Sequence, residues 1–121
     1  MVLTWLATKN LASFGYFETP CALVGHTHRP LVFSQSESGA CSMDDFLPVG
    51  LLELGSERLI VNPGSVGQPR DGDPRASYAV YDSEHSVIRL HRVTYDVATT
   101  QSKMRRHGLP AFLVERLAKG V

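Results

Sequence analysis

The sequence predicts an α/β fold of the α+β kind, mostly one β-sheet with flanking helices. Three observations carry this. Apolar residues near the start recur at helical spacing, short apolar runs in the middle are bounded by Gly and Pro, and a basic helical segment closes the chain. The 121 residues, 43% hydrophobic and with balanced charge (12 Lys+Arg, 12 Asp+Glu), suit one domain spanning 1–121. That balance excludes a basic nucleic-acid patch, an acidic tail and a disordered linker. No apolar run approaches the roughly 18 residues of a membrane helix, so no membrane partner is expected.

Leu3, Leu6, Ala7, Leu11 and Phe14 form one stripe and predict a helix from Leu3 to Phe14, with Gly15 as its stop. No capping residue precedes it, so the chain is expected to start in mid-element. Cys21 to Val24 reads as a buried strand between Pro20 and Gly25, and Leu31 to Phe33 as a second, followed by turn residues from Ser34 to Gly39. Val49 to Leu54 and Arg58 to Val61 read as two further strands joined across Gly55-Ser56. Asn62 to Arg75, with three glycines and three prolines, reads as a long loop, the kind that more often carries function than not. Ala76 to Tyr81 and Val87 to Thr94 predict a hairpin. Asp96 is placed to cap a helix running to Arg106, Gly108 to stop it, and Pro110 to open a last helix from Ala111 to Lys119.

Two loops hold candidate chemistry. In Gly25-His26-Thr27-His28, two imidazoles flank one residue at a strand end, where both can reach a common metal site. Taken alone the pattern is equally two loop histidines with ordinary polar partners. In Asn62-Pro63-Gly64-Ser65-Val66-Gly67-Gln68-Pro69-Arg70, glycines free backbone N–H groups to face an anion, with Arg70 and Arg75 as phosphate partners and Asp71 and Asp73 as oxygen donors. The same charges can instead pair with each other.

Together these strings resemble the calcineurin-like metallophosphoesterases. Cys21 to Pro30 is similar to the family's last metal motif, and Asn62 to Arg70, with Ala76 to Val80 behind it, is similar to the loop and strand that follow in its bacterial phosphodiesterase-like branch. Gly108-Leu109-Pro110 with Phe112-Leu113 fits the same branch. The resemblance implies the C-terminal part of a four-layer αββα sandwich. It also implies hydrolysis of phosphomonoesters or phosphodiesters by metal-activated water at a dinuclear site. In that reading His26 ligates one divalent ion and His28 its neighbour, the ions being manganese, iron or zinc. Asn62, Gly64, Ser65 and Arg70 are the candidates for the substrate phosphate.

The family builds most of its site from an earlier Asp-x-His, a Gly-Asp, a Gly-Asn-His and a further lone histidine, none of which stands here before His26. Upstream donors are limited to Asn10, Glu18 and Cys21. The chain is therefore expected to be a truncated C-terminal portion, incomplete and inactive by itself. A phosphate ester is its expected substrate, and either a separate N-terminal half or a homo-oligomer would cover an exposed sheet. With two cysteines and no CxxC, a reducing cytoplasm is the expected location. Two alternatives stay open: a non-catalytic β-rich module binding an anion or a partner, and a mononuclear metal protein using His26, His28 and Asp71 or Asp73.

Overall fold

The computed structural model describes residues 12–46 and 50–121. Among these, the chain forms β1 (Cys21–Leu23), β2 (Pro30–Gln35), β3 (Cys41–Asp45), β4 (Leu51–Glu53), β5 (Arg58–Pro63), β6 (Ala76–Asp82) and β7 (Val87–Val93). Helices α1 (Val97–Arg106) and α2 (Ala111–Glu115) follow, with 3-10 turns at Phe14–Tyr16 and Arg116–Ala118. The class is the mixed α/β one expected, dominated by strands. The Leu3–Leu11 part of the first expected helix, and Val49, lie outside the described residues. No helix among the described residues is long and apolar enough to cross a membrane.

The strands divide between two sheets, ordered β1-β5-β2-β3 and β4-β7-β6, rather than lying mostly in one. The reason is the partner of β4. Leu51–Glu53 pairs with Val87–Arg89 of β7, and Leu54 N–H donates to Ser86 O at 2.8 Å, so Gly55-Ser56 is the passage from one sheet to the other and not a hairpin turn. The expectation that an absent half supplies the opposing sheet is corrected with it. Val32, Leu59 and Val61 of the first sheet pack on Ile88 of the second, with Phe46 and the partly buried Leu52, Ala79 and Leu90. Alternate residues point the other way: Leu31, Phe33 and Ile60 pack on Phe14, Phe17 and Met43. Burying residues as enclosed as Ile60 (1% exposed) and Val61 (0%) contributes about 1.5–3 kcal/mol each.

Two strand details differ from expectation. β2 runs on to Gln35, and its partner β3 is a strand the sequence pattern does not announce. Cys41-Ser42-Met43-Asp44-Asp45 is an edge strand whose side chains are mostly exposed, so it carries no apolar alternation and owes its form to pairing with β2. The expected β6–β7 hairpin forms with Ala76 opposite Val93.

The helical end matches the capping chemistry. Asp96 accepts from Thr99 N–H at 2.9 Å and from Thr99 Oγ1 at 2.7 Å, while Lys103, Arg105 and Arg106 occupy the last turn of α1. Pro110 is the N-cap of α2 rather than its first residue, and the helical path tightens into the 3-10 turn before Gly120. Gln101 Nε2 donates to Val114 O at 2.8 Å and ties the two helices together.

Candidate functional site

The sheet order fixes where the two-histidine loop lies. β1 and β2 flank β5, so the chain between them crosses the end of β5, at Asn62 and Pro63. That end is abrupt because Pro30 faces Pro63 and neither has an N–H to extend the ladder. β1 runs parallel to β5, and Val24 N–H still donates to Val61 O at 2.9 Å before the loop departs.

Within the loop, His26 (φ 83°) and His28 (φ 62°) both adopt left-handed backbone, which costs a side-chain-bearing residue roughly 1–2 kcal/mol. Strain of this kind persists only where neighbours over-determine it. Here they do. Asn62, 2% exposed, donates its amide to Gly25 O (3.0 Å) and Thr27 Oγ1 (2.9 Å), and accepts from Gly64 N–H (3.0 Å). The main chain of His28 accepts from Arg70 N–H at 3.1 Å. The His28 ring places Nδ1 2.7 Å from Gln68 O. A carbonyl only accepts, so Nδ1 is the donor here, and in a neutral ring that tautomer leaves the Nε2 lone pair for a metal. The donor chemistry of His28 therefore fits a divalent ion. His26 is exposed on the same loop. Among the described residues, no group of three His, Cys, Asp or Glu gathers to hold an ion.

The 64–75 loop spends its polar groups on structure. Gly64 N–H goes to Asn62, Ser65 Oγ accepts from Gln68 N–H (3.0 Å), and Ser65 O accepts from Ser77 N–H (2.9 Å). Ser77, buried at 2% exposure, donates its hydroxyl to Pro63 O at 2.6 Å. Gly64 (φ 86°) is pressed between Pro30 and Ser77, where an added Cβ would meet atoms at 3.0 Å. Arg70 donates to Gln68 Oε1 at 2.8 Å. Of the four candidates for the phosphate, Asn62, Gly64 and Ser65 thus have their inner contacts within the fold. A 200 Å3 cavity beside the loop is lined by Arg29, Pro30, Asp45 and Asp71.

The acidic residues of the loop are already paired. Asp71 is bound by Arg92, whose side chain is 5% exposed and which also donates to Arg75 O at 3.0 Å. Asp73 is held by Arg75 at 2.6 Å. Against the mononuclear reading, neither Asp71 nor Asp73 joins His26 and His28 in a group of three donors among the described residues. The hydrogen bond from the Arg75 guanidinium, against a smaller opposing effect of burial, holds the Asp73 carboxyl down to about 2. Because this pKa lies below that of the unfolded chain, between about pH 4 and pH 2 the unfolded state binds more protons. The stability Asp73 contributes is present above that window and is lost as pH falls through it. In melts at pH 7, 4 and 2.5, Asp73→Asn is expected to lose less stability across the acid steps than wild type. Equal losses would refute the role of this pair.

The remaining candidates scatter. His85 pairs with Asp82, His91 stacks on Tyr78 with centroids 5.0 Å apart, and His107 caps α1. Cys21 lines an apolar cavity of 460 Å3 with Leu23, Leu54 and Tyr81, and burial pushes its thiol pKa up, away from the thiolate a metal would need. Thr27, Gln68 and Ser77 are contributors that residue chemistry alone does not flag. The bond from His28 to Gln68 is made to a main-chain oxygen forty positions along the chain, and any residue type supplies one.

Residues 8–86 match the model of the calcineurin-like phosphoesterase superfamily domain. The chain belongs to this superfamily. This phosphoesterase-family chain is also 44% identical to a metallophosphoesterase from Sphaerobacter thermophilus of known crystal structure. The two superpose with a TM-score of 0.83 over 95% of this chain and 48% of that one. An uncharacterized protein of Methanocaldococcus jannaschii is 40% identical over 98 residues, covering 80% of this chain and 38% of the relative. The phosphoesterase-family chain therefore spans less than half the length of either relative.

Proposed function

We propose that this chain supplies His26 and His28 as ligands to the metal site of a phosphoesterase acting on phosphomonoesters or phosphodiesters, completed by donors outside these 121 residues. The observation that carries the reading is the His28 ring, whose Nδ1–H is held by Gln68 O at 2.7 Å so that Nε2 is left to coordinate. Divalent ions bound there (manganese, iron or zinc) would supply Lewis acidity at phosphorus and an activated water near neutral pH. The part of this chain is positional. β1 and β5 end together, the loop between β1 and β2 crosses that end, and the left-handed backbone at positions 26 and 28 turns both residues out of the strand direction. The remaining donors come from an N-terminal portion or from a second copy. A cytosolic setting belongs to the same proposal, supported by Cys21 and Cys41 both being free thiols.

The test is metal stoichiometry after dialysis against Mn2+ or Zn2+, with bis(p-nitrophenyl) phosphate hydrolysis read in parallel. Wild type and His107→Ala are expected to hold at most one weakly bound ion per chain, and His28→Ala to bind at least about tenfold more weakly. Equal binding by wild type and His28→Ala sinks the assignment. Two tightly held ions per chain would show that the missing donors lie within the chain or its oligomer.

A further inference from the structure

Two separate clamps act on the histidine loop. Gln68 O and Arg70 N–H hold His28. Neither reaches His26. The residues on both sides of His26 are Gly25 and Thr27, and the two hydrogen bonds of the Asn62 amide group go to these two, at 3.0 and 2.9 Å. Asn62 stands at the end of β5, 2% exposed, with Oδ1 turned to Gly64 N–H, so the amide is fixed in orientation by the loop on its far side. Only a carboxamide both donates twice and accepts from one planar group. A buried hydroxyl or carboxylate at this place would leave the Gly25 carbonyl unpaired or facing a negative charge.

We infer that Asn62 is a positioning residue for His26, holding that residue in its left-handed conformation (φ 83°) by gripping the chain on either side of it. The inference rests on His26 and His28 being metal ligands. It assigns the two ligands to independent supports, Asn62 for the first and the 68–70 segment for the second. Positioning then divides by residue: loss of the carboxamide loosens His26 and leaves the His28 grip in place.

The experiment compares Asn62→Asp and Thr27→Val with wild type, by 15N relaxation without metal and by Co2+ titration. Asn62→Asp keeps the acceptor for Gly64 N–H and removes both donors. Thr27→Val removes the bond from Asn62 together with the Thr27 Oγ1 contacts to Arg29 N–H (3.3 Å) and Arg29 O (3.5 Å), and leaves β5 untouched. In both variants the backbone order parameters of His26 and Thr27 are expected to fall, in Asn62→Asp from near 0.85 to below about 0.6 while those of His28 and Arg70 hold. Co2+ affinity is expected to drop about 10–100-fold in Asn62→Asp and less in Thr27→Val. Retained slow exchange of the Val24 amide, bonded to Val61 O, shows that the sheet is intact. Unchanged order at positions 26 and 27 in a folded variant overturns the inference, as does equal loosening of His28. If wild type and His28→Ala bind Co2+ alike, it is the ligand reading that fails, and the order parameters still judge the grip of Asn62.

Discussion

Arg92→Met is expected to destabilise the chain by about 3–5 kcal/mol, the cost of stranding a buried carboxylate. Arg92 lies on β7 with 5% of its side chain exposed, and Asp71, its partner on the 64–75 loop, is 12% exposed. The guanidinium also reaches Arg75 O, so one side chain fastens the loop to the second sheet at two points. Methionine fills much the same volume and leaves Asp71 without its counter-charge. The companion variant is Asp71→Asn with Arg92→Met. Removing both charges is expected to recover a large part of the loss, because the penalty belongs to the unpaired ion more than to the missing attraction. Urea unfolding of wild type, Arg92→Met, Asp71→Asn and the double variant measures this. A double variant as unstable as the sum of the singles would show that the ion pair is not what joins loop to sheet.

Gly120→Ala is expected to cost about 2–4 kcal/mol, from overpacking together with a backbone that disfavours a Cβ. Gly120 has φ 67°, and a Cβ there would sit 2.6 Å from Asp73 C and 2.8 Å from Asp73 N and O. Those atoms are main chain, and Gly72 N–H donates to Gly120 O at 2.9 Å, so neither side can withdraw without breaking a bond. The control is Gly55→Ala, with nothing within 4 Å of its added Cβ and a change expected within about 0.5 kcal/mol. Thermal melts of the two variants decide the matter. Similar melting temperatures would mean that the chain end does not rest on the loop.

Much of this fold was legible because the signals were local. The Asp96 cap, the Val87–Val93 strand of the hairpin and the short apolar run at Cys21 each declare themselves within a few residues, although β1 is not the buried strand expected, Leu23 and Val24 being exposed. What stayed hidden was partnership. Leu51–Glu53 and Arg58–Pro63 look like neighbours along the chain, yet they belong to different sheets, because β7 competes for β4 with a matching register that no local pattern reports. β3 was invisible for a related reason: mostly exposed, with Met43 its one half-buried residue, it is a strand only by virtue of β2. At the site, residue type and spacing raised His26 and His28 as a pair at a strand end, and they lie within the residues 8–86 that the family match spans. The proton on His28 and the grip of Asn62 were beyond reach, since both depend on main-chain atoms brought close by the parallel β1–β5 pairing. Asn62 illustrates the limit well. Its place in a glycine-rich string suggested an anion contact, and its burial at a strand end gives it inward bonds instead.

The parallel pairing of β1 with β5 carries a kinetic consequence. Every other ladder among the described residues is antiparallel, and the β6–β7 hairpin closes wholly between Ala76 and Val93. β1 instead pairs Cys21 with Leu59 across a stretch of chain that holds β2, β3 and β4, and it brings only three residues to the ladder. Loop-closure entropy makes such a pair slow to form, and its short ladder makes it early to open. The histidine loop thus hangs from the least secured strand of the first sheet. A ligand that engages both histidines stabilises the state in which β1 is docked, so its affinity is coupled to the free energy of that docking.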